Sequence, residues 1–351
     1  MASAAGAANR ALKVAGPILV PAIAYGAYKG NVLAMLESFF TGPGKTSRVV
    51  ALVVVLVNWK SLPFAWTKTW QFRVFGAMIT HMGFRRFHSH TPDQLFHPVI
   101  TPSHVSLLEV DYNIHKSNST YFADLDVSRS QLVSHLFARG CRDLANNATT
   151  RLVMDPSDPS KSAKGTFGVM LGAVQCSFKK ELKPYQKYEM WSRVLSWDRK
   201  WLYIVTHFVE RGAVKPRSWD EGNFGTTRKE KGEPQDWEKK IHATAISKYV
   251  FKIGRLTVHP AVLIDASGML PERPDGWTTM ESGMAPPSHL ITGHHATEAE
   301  IKAGHGDWDW KQTERLRLKG YEFAAHFAAL DGLQSQFDSG EDGALGKFGL
   351  A

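Results

Sequence analysis

The sequence predicts a chain in two parts, an apolar N-terminal region followed by an α+β domain. The α+β class rests on one amphipathic helix over 119–139 and on several long strands after it, because one helix followed by consecutive antiparallel strands is typical of that class. The 351 residues are 43% hydrophobic and 21% charged. That composition supports a sizeable core and excludes global disorder.

Changes in composition divide the chain into four segments. We assign 1–90 to a hydrophobic, membrane-associating region and 103–264 to the α+β domain. A loop and a C-terminal helical extension follow over 265–337, and a glycine-rich flexible tail over 338–351. The net charge of +9 indicates an anionic partner, such as a phosphate-bearing group or a lipid surface. No nucleic-acid-binding motif accompanies that charge, so we expect no nucleic-acid partner.

The N-terminal region carries two apolar runs, 14–28 and 49–57. Each is shorter than the ~20 residues that a membrane-spanning helix needs. Trp66, Lys68 and Trp70 then begin a mixture of aromatic and basic residues that is typical of a membrane–water interface. We therefore expect a membrane anchor or an interfacial segment. The alternative is a helical extension packed on the domain, with 49–57 as a buried element.

Basic residues are unequally distributed around the second apolar run. Those after it outnumber those before it, which favours a cytosolic α+β domain, at the endoplasmic reticulum or another endomembrane. The residues concerned are Lys60, Lys68, Arg73, Arg85 and Arg86 after the run, and Lys45 and Arg48 before it.

The elements of the domain follow from hydrophobic periodicity. A short strand is predicted over 104–110, and the helix over 119–139 ends at Gly140. A second helix begins at a capping box of Thr297 and Glu300, is broken near Gly304–Gly306 and resumes over 311–330. The long strands are predicted over 166–179, 187–197, 200–210, 241–251 and 256–264.

The segment 111–121, DYNIHKSNSTY, carries the chemistry. If the chain stays extended after the first strand, Asp111, Asn113 and His115 lie on one side. Asn118 or Ser117 then caps the helix, whose free N–H groups face the same region. A carboxylate beside such donors suits acyl transfer. The alternative is a polar turn whose Asp and Asn cap backbone groups and whose His is solvated.

The order Asp-x-Asn-x-His-x-x-Asn-x-x-Tyr, followed by an acid and Arg129, resembles the signature of hot-dog-fold thioesterases of the 4-hydroxybenzoyl-CoA thioesterase type. With the apolar N-terminus, the chain is most similar to the thioesterase-superfamily-member-six-like proteins of animals and fungi. The resemblance implies a helix wrapped by an antiparallel sheet, usually in a homodimer. We therefore expect a hot-dog fold with an N-terminal hydrophobic helical extension and a C-terminal helix.

The resemblance also implies roles for individual residues. Asp111 is the implied base or nucleophile, Asn113 holds the carbonyl or a water, and His115 assists proton transfer. Asn118 and Tyr121 are the implied substrate-binding residues. The chain has Ser117 where the family usually has Asn.

Other candidates in the sequence have structural explanations. Asp126 is a second candidate acid, with an ion pair to Arg129 as its alternative role. Cys176 lies in a predicted strand and is interpreted as packing. The histidines between His289 and His305 lack the spacing of a closed zinc site. We therefore expect neither a metal nor a cofactor.

The function expected from these residues is hydrolysis of an acyl-CoA or acyl-carrier thioester carrying a lipid or polyketide chain, in fungal secondary metabolism. The alternative is a non-catalytic acyl-binding protein or a membrane-attached accessory protein of such a pathway. An intact set of Asp111, Asn113 and His115 favours the enzyme, because a protein that only binds acyl chains has no need for a carboxylate beside the thioester.

Overall fold

The computed structural model describes residues 30–61, 90–216, 237–274, 276–278 and 308–337. Several sequence predictions lie outside these residues. They are the apolar run at 14–28, the aromatic and basic residues that begin at Trp66, the capping box at Thr297, the histidines from His289 to His305 and the C-terminal tail.

Two short helices, α1 (Val32–Thr41) and α2 (Lys45–Val57), precede the domain and have no buried residues. Gly44 separates them at φ 79°, a left-handed conformation that glycine adopts without a steric penalty. Among the described residues no single helix is long and apolar enough to cross a membrane, but α1 and α2 together, bent by 105°, meet that criterion. The side chains of 49–57 are mostly exposed, which disagrees with the alternative of a buried element.

The domain is built on one antiparallel sheet. Its strands are β1 (Val99–His104), β4 (Phe167–Phe178), β5 (Lys187–Trp197), β6 (Trp201–Glu210), β7 (Ile241–Ile253) and β8 (Leu256–Val258), and a separate hairpin is formed by β2 (Met154–Asp155) and β3 (Asp158–Ser162). The order is β1-β5-β6-β7-β4, with β8 paired to β7. Strand β4 therefore lies at one edge of the sheet.

The long helix α3 (Thr120–Ala145) packs on one face of this sheet, and one further helical turn, α4 (Asn147–Thr150), follows it. Leu125 and Leu132, which are fully buried, belong to its apolar face. Polar contacts also join helix and sheet: the Ser128 and Ser192 hydroxyls are 2.7 Å apart, and Arg129 donates a hydrogen bond to Ser247. The buried helix against an antiparallel sheet confirms the α+β, hot-dog arrangement.

The C-terminal helix α6 (Trp310–Ala329) covers the opposite face of the sheet. Tyr203 and Val205 contact this helix, whereas the alternating residues Leu202 and Ile204 face the α3 side. A Cβ added at Gly320 would lie 1.9 Å from the carbonyl oxygen of Leu195, so α6 approaches the sheet as closely as glycine allows. The helix predicted over 311–330 is confirmed.

The first strand is displaced from its prediction. Instead of 104–110, it covers Val99–His104, and Leu107–Glu109 forms a turn of 3-10 helix. Ser106 and Glu109 form a capping box at that turn. The alternation of apolar residues was therefore overridden by a local hydrogen-bond motif.

Two further boundaries were wrong. The segment predicted as a strand over 256–264 becomes helix α5 (Pro260–Ala266) after Val258, because Pro260 cannot donate to a sheet and His259 caps the helix. Gly140 does not end α3. It lies inside the helix, where a Cβ would be 2.4 Å from the carbonyl oxygen of Leu263, so glycine is needed for close packing on α5.

Candidate active site

The segment between the first strand and α3 folds back on itself as a tight turn. We call Val110–Lys116 the Asp111 turn. Val110 and Lys116 form an isolated antiparallel bridge, and the Asp111 N–H donates to the His115 carbonyl at 3.0 Å. Ile114, at φ 62°, supplies the left-handed residue that reverses the chain. The expected extended conformation is therefore wrong.

The turn nevertheless brings the carboxylate and the imidazole together. Asp111 Oδ1 accepts a hydrogen bond from the Asn113 N–H at 2.9 Å and lies 3.7 Å from His115 Nδ1. Within the described residues Asp111 Oδ2 has no hydrogen-bond partner. Both side chains are about one-quarter exposed, at 22% for Asp111 and 26% for His115. This carboxylate is open to water and to a substrate. His115 Nδ1 lies just beyond hydrogen-bond distance of it and is 3.4 Å from the Lys116 carbonyl oxygen, so a small movement of the imidazole is needed before the two groups share a proton.

The two asparagines of the motif are exposed. Asn113 lies near the tip of the Asp111 turn and Asn118 between the turn and α3. The expected cap by Asn118 or Ser117 is not formed, because the helix is preceded by Ser119, which makes no capping hydrogen bond with its side chain. The backbone carbonyl of Ser117 instead accepts from the hydroxyl of Thr120 at 2.7 Å.

Tyr121 lies in the core beneath the turn. It is 2% exposed and makes edge-on ring contacts with Phe178 and Phe208. Burial, reinforced by Cys176 and Asp124, raises the pKa of the Tyr121 hydroxyl, so it stays protonated at neutral pH. Any contact of Tyr121 with a substrate would therefore be made inside the domain. The substrate-binding roles of Asn118 and Tyr121 stay predictions.

Five residues beneath the Asp111 turn were missed by the sequence analysis. Lys60, Glu109, Lys116, Asp124 and Tyr188 meet in what we call the buried charge cluster. The family pattern of an acid three residues before Arg129 marks Asp126, so it gave no signal for Asp124. Nothing local could assign Lys60, which lies 64 residues before Asp124 in sequence.

The remaining polar candidates have structural contacts. Arg129, which is 1% exposed, forms the expected ion pair with Asp126. Burial raises the pKa of Cys176 to about 11 and that of Cys141 to about 12, so both thiols are protonated at neutral pH. Within the described residues no group of three His, Cys, Asp or Glu side chains could hold a metal ion.

Exposed apolar side chains surround the turn. Leu107 and Leu108 precede it, and Tyr112 and Ile114, at its tip, are 93% and 72% exposed. The same region contacts the end of α2, because the Leu108 N–H donates to Asn58 Oδ1 at 3.1 Å. The Asp111 turn and the apolar N-terminal helices therefore lie next to each other.

Comparison of the sequence with known proteins places this chain in a family. The sequence model of the thioesterase-like superfamily matches residues 105–248, a range that contains the Asp111 turn, α3 and most of the sheet. Thioesterase poxG of Penicillium oxalicum is 34% identical over 319 residues, covering 90% of this chain and 94% of that protein. The probable thioesterase atnL of Emericella nidulans is 31% identical, covering 84% of this chain and 89% of its own length.

Two further similarities were found. Thioesterase lcsJ of Purpureocillium lilacinum is 33% identical, with 87% of this chain and 96% of that protein covered. Among solved structures, the probable thioesterase YbaW of Escherichia coli aligns at 9% identity and a TM-score of 0.32, covering 48% of this chain and 96% of that one.

Proposed function

The chain belongs to the thioesterase-like superfamily, and from that premise we propose that it hydrolyses an acyl-CoA or acyl-carrier thioester with Asp111 as the catalytic carboxylate. The resemblance found in the sequence is thereby confirmed, and a thioester hydrolase is the activity that the family and its fungal members support. The assignment of catalytic roles to particular residues is our proposal.

One observation supports Asp111 most directly. Its carboxylate is partly exposed in the turn before α3, has one oxygen without a partner among the described residues, and lies beside His115. A general base must be reachable by the water that it deprotonates. Asp126, the other candidate acid, is instead paired with Arg129.

The proposed reaction uses water as the nucleophile. Asp111 takes a proton from a water molecule, whose oxygen attacks the thioester carbonyl carbon. The resulting oxyanion is stabilised by N–H donors, for which the side-chain amide of Asn113 and the backbone N–H groups in the first turn of α3 are the candidates. The C–S bond then breaks. The proton that Asp111 took is relayed by His115 to the leaving sulfur, which departs as the thiol. The products are a carboxylic acid and a thiol. The alternative, in which Asp111 attacks the carbonyl itself, passes through an anhydride that water then hydrolyses.

We also propose that the N-terminal helices attach the protein to a membrane. Neither α1 nor α2 has a buried residue, and exposed Leu33, Met35, Val54 and Leu56 are among their apolar side chains. Apolar side chains without a protein partner lower their free energy by entering the lipid interface. With the basic residues concentrated after α2, we place the catalytic domain on the cytosolic side, at the endoplasmic reticulum or another endomembrane.

A homodimer is part of the proposal. Strand β4 lies at the edge of the sheet, is twelve residues long, and exposes Met170 and Leu171. A long apolar edge strand is a ready site for pairing with a second strand. We propose that the β4 strands of two copies pair and continue the sheet across both subunits.

The acyl group is proposed to be a lipid or polyketide chain of fungal secondary metabolism. Support comes from the fungal thioesterases to which the chain is similar. The decisive assay incubates the full-length protein, in detergent, with acyl-CoA substrates from acetyl to stearoyl and with acyl-loaded carrier proteins, and measures the thiol released. Chain-length-dependent hydrolysis is expected. Binding of acyl chains without hydrolysis of any substrate would contradict the proposal and favour the acyl-binding alternative.

A further inference from the structure

The buried charge cluster joins four segments of the chain beneath the Asp111 turn. It contains two carboxylates and two ammonium groups, and the exposed fractions of the side chains are 0% for Lys116, 6% for Asp124, 8% for Glu109 and 19% for Lys60. Four charges so far from water are tolerated only when they pair with each other. Tyr188, on β5, adds a hydroxyl that donates to Asp124.

Lys60 bridges both carboxylates of this cluster. Its Nζ lies 2.8 Å from Asp124 Oδ1 and 3.0 Å from Glu109 Oε1, and it also donates to the His104 carbonyl at 3.0 Å. Burial alone would raise the pKa of Asp124, but Lys60 and Lys116 outweigh burial and lower it. Without Lys60, one ammonium group would remain for two buried carboxylates.

The other two charged residues form the base of the Asp111 turn. Glu109 precedes the turn and Lys116 ends it, and their side chains approach to 3.3 Å. The backbone is tied here as well, since the N–H of Ser117, the residue after Lys116, donates to the Glu109 carbonyl at 2.7 Å. A change in the cluster is therefore transmitted to both ends of the turn that carries Asp111.

Lys60 reaches the cluster from the segment that directly follows α2. Asn58 and Ser61, its neighbours, bind the same region, through the Leu108 N–H and the Ser106 hydroxyl respectively. Asn58 is 1% exposed. The end of the apolar helices is thus fixed against the base of the turn and is part of the folded domain.

We propose that Lys60 is a positioning residue for the thioesterase reaction: by bridging Glu109 and Asp124 it fixes the base of the Asp111 turn, and it couples the N-terminal helices to the catalytic carboxylate. The catalytic consequence rests on the proposed function. The structural consequence, a turn held in place by Lys60, does not. A displacement of a catalytic group by about 1 Å costs roughly 10² in rate, which sets the size of effect expected.

The test compares Lys60→Met with Lys60→Arg in the full-length protein. Methionine keeps an unbranched side chain, one atom shorter than that of lysine, and removes the charge, whereas arginine retains the charge. We expect kcat for acyl-CoA hydrolysis to fall about 100-fold in Lys60→Met with little change in KM, and to recover in part in Lys60→Arg. Lys240→Met is the matched control, because it makes the same substitution but removes an ion pair at the surface, between Lys240 Nζ and Glu210 Oε2 at 3.0 Å. It should retain wild-type kcat.

A second measurement does not depend on activity. The Ile114 amide is bonded within the Asp111 turn, and the Ser117 amide is bonded to Glu109 across its base. Hydrogen exchange of both amides should accelerate in Lys60→Met while the amides of α3 remain protected. A wild-type protein that hydrolyses no thioester would defeat the proposed function, and the exchange rates would still decide the role of Lys60.

If Lys60→Met does not fold, the double variant Lys60→Met/Asp124→Asn takes its place. It leaves one ammonium group and one carboxylate, Lys116 and Glu109, in the buried charge cluster, so the charges balance. It should fold, exchange rapidly at the turn and remain slow in turnover. The proposal would be overturned if the variant that folds, single or double, has the kcat of the wild type and the same hydrogen exchange at the turn. A lowered melting temperature with unchanged kcat and exchange would do so too, because it would mean that Lys60 serves stability alone.

Discussion

His115 Nδ1 lies 3.7 Å from Asp111 Oδ1 because the five residues from one to the other form a closed turn, with the Asp111 N–H bonded to the His115 carbonyl. An imidazole at this distance can share or relay a proton after a small movement of either side chain. The pair therefore forms the centre of the proposed site, and it gives the first prediction.

Asp111→Asn should lower kcat by about 10²–10⁴, the range typical for loss of a positioned general base. Folding should be unchanged, because the partly exposed carboxylate contributes little to the core, and circular dichroism will check this. Asp158→Asn is the matched control. Asp158 Oδ1 also accepts a hydrogen bond from the N–H two residues later, at the start of β3 in the separate hairpin. His115→Ala should reduce kcat less than Asp111→Asn. Wild-type hydrolysis by Asp111→Asn would show that the base lies elsewhere.

Replacing apolar residues of α2 should release the protein from membranes. Val54→Lys and Leu56→Lys change side chains that are 52% and 60% exposed, so the fold should be retained while insertion into the lipid interface becomes unfavourable. Flotation with phosphatidylcholine–phosphatidylserine vesicles measures the bound fraction. Phe323→Lys, at a 64% exposed residue of α6, is the control and should leave binding intact. Recovery of the wild-type protein in the detergent-free soluble fraction would contradict membrane attachment.

Charges on the edge strand should separate the proposed dimer. Met170→Lys combined with Leu171→Lys places like charges of two copies close together across a β4–β4 pairing. Light scattering should report half the molar mass of the wild type. Leu333→Lys, at a 63% exposed residue outside the sheet, should leave the mass unchanged. A wild-type protein that is strictly monomeric in detergent would refute the dimer.

Acid should destabilise the fold through two half-buried histidines. Burial lowers the pKa of His207 and of His259 from 6.5 to about 4. Nearby cationic groups lower both further, and at His259 the Asp198 carboxylate opposes the shift without cancelling it. Between those values the unfolded chain binds protons that the folded chain does not. The free energy of unfolding therefore falls as the pH drops from 6.5 towards 4, and these two groups contribute no slope above that range.

His259→Asn isolates one of these groups. His259 Nδ1 accepts the Ala261 N–H at the start of α5, and asparagine can replace that cap without titrating. Urea unfolding at several pH values should give a shallower dependence between pH 6.5 and 4 in the variant, and equal slopes near neutrality. An unchanged dependence in acid would mean that His259 does not carry this linkage.

The sequence alone determined the elements whose causes are local. Periodicity within a window of a dozen residues identified α3, β4, β5, β6 and the body of α6, because amphipathic repeats of 3.6 and 2 residues report directly on burial. The Asp-x-Asn-x-His order likewise identified the family. Where local signals competed, the prediction was wrong: the Ser106–Glu109 capping box and Pro260 overrode hydrophobic alternation.

The tertiary structure alone decided how distant residues meet at the site. The turn that joins Asp111 to His115 depends on a left-handed Ile114, a conformation that β-branched residues rarely adopt unless surrounding contacts impose it. The approach of Lys60 to Asp124 depends on how the end of α2 docks beneath the turn, across 64 residues of sequence. Buried charges are positioned by the packing of whole elements, since a cation and its carboxylate pair only where the fold removes both from water, and no local pattern records that partnership.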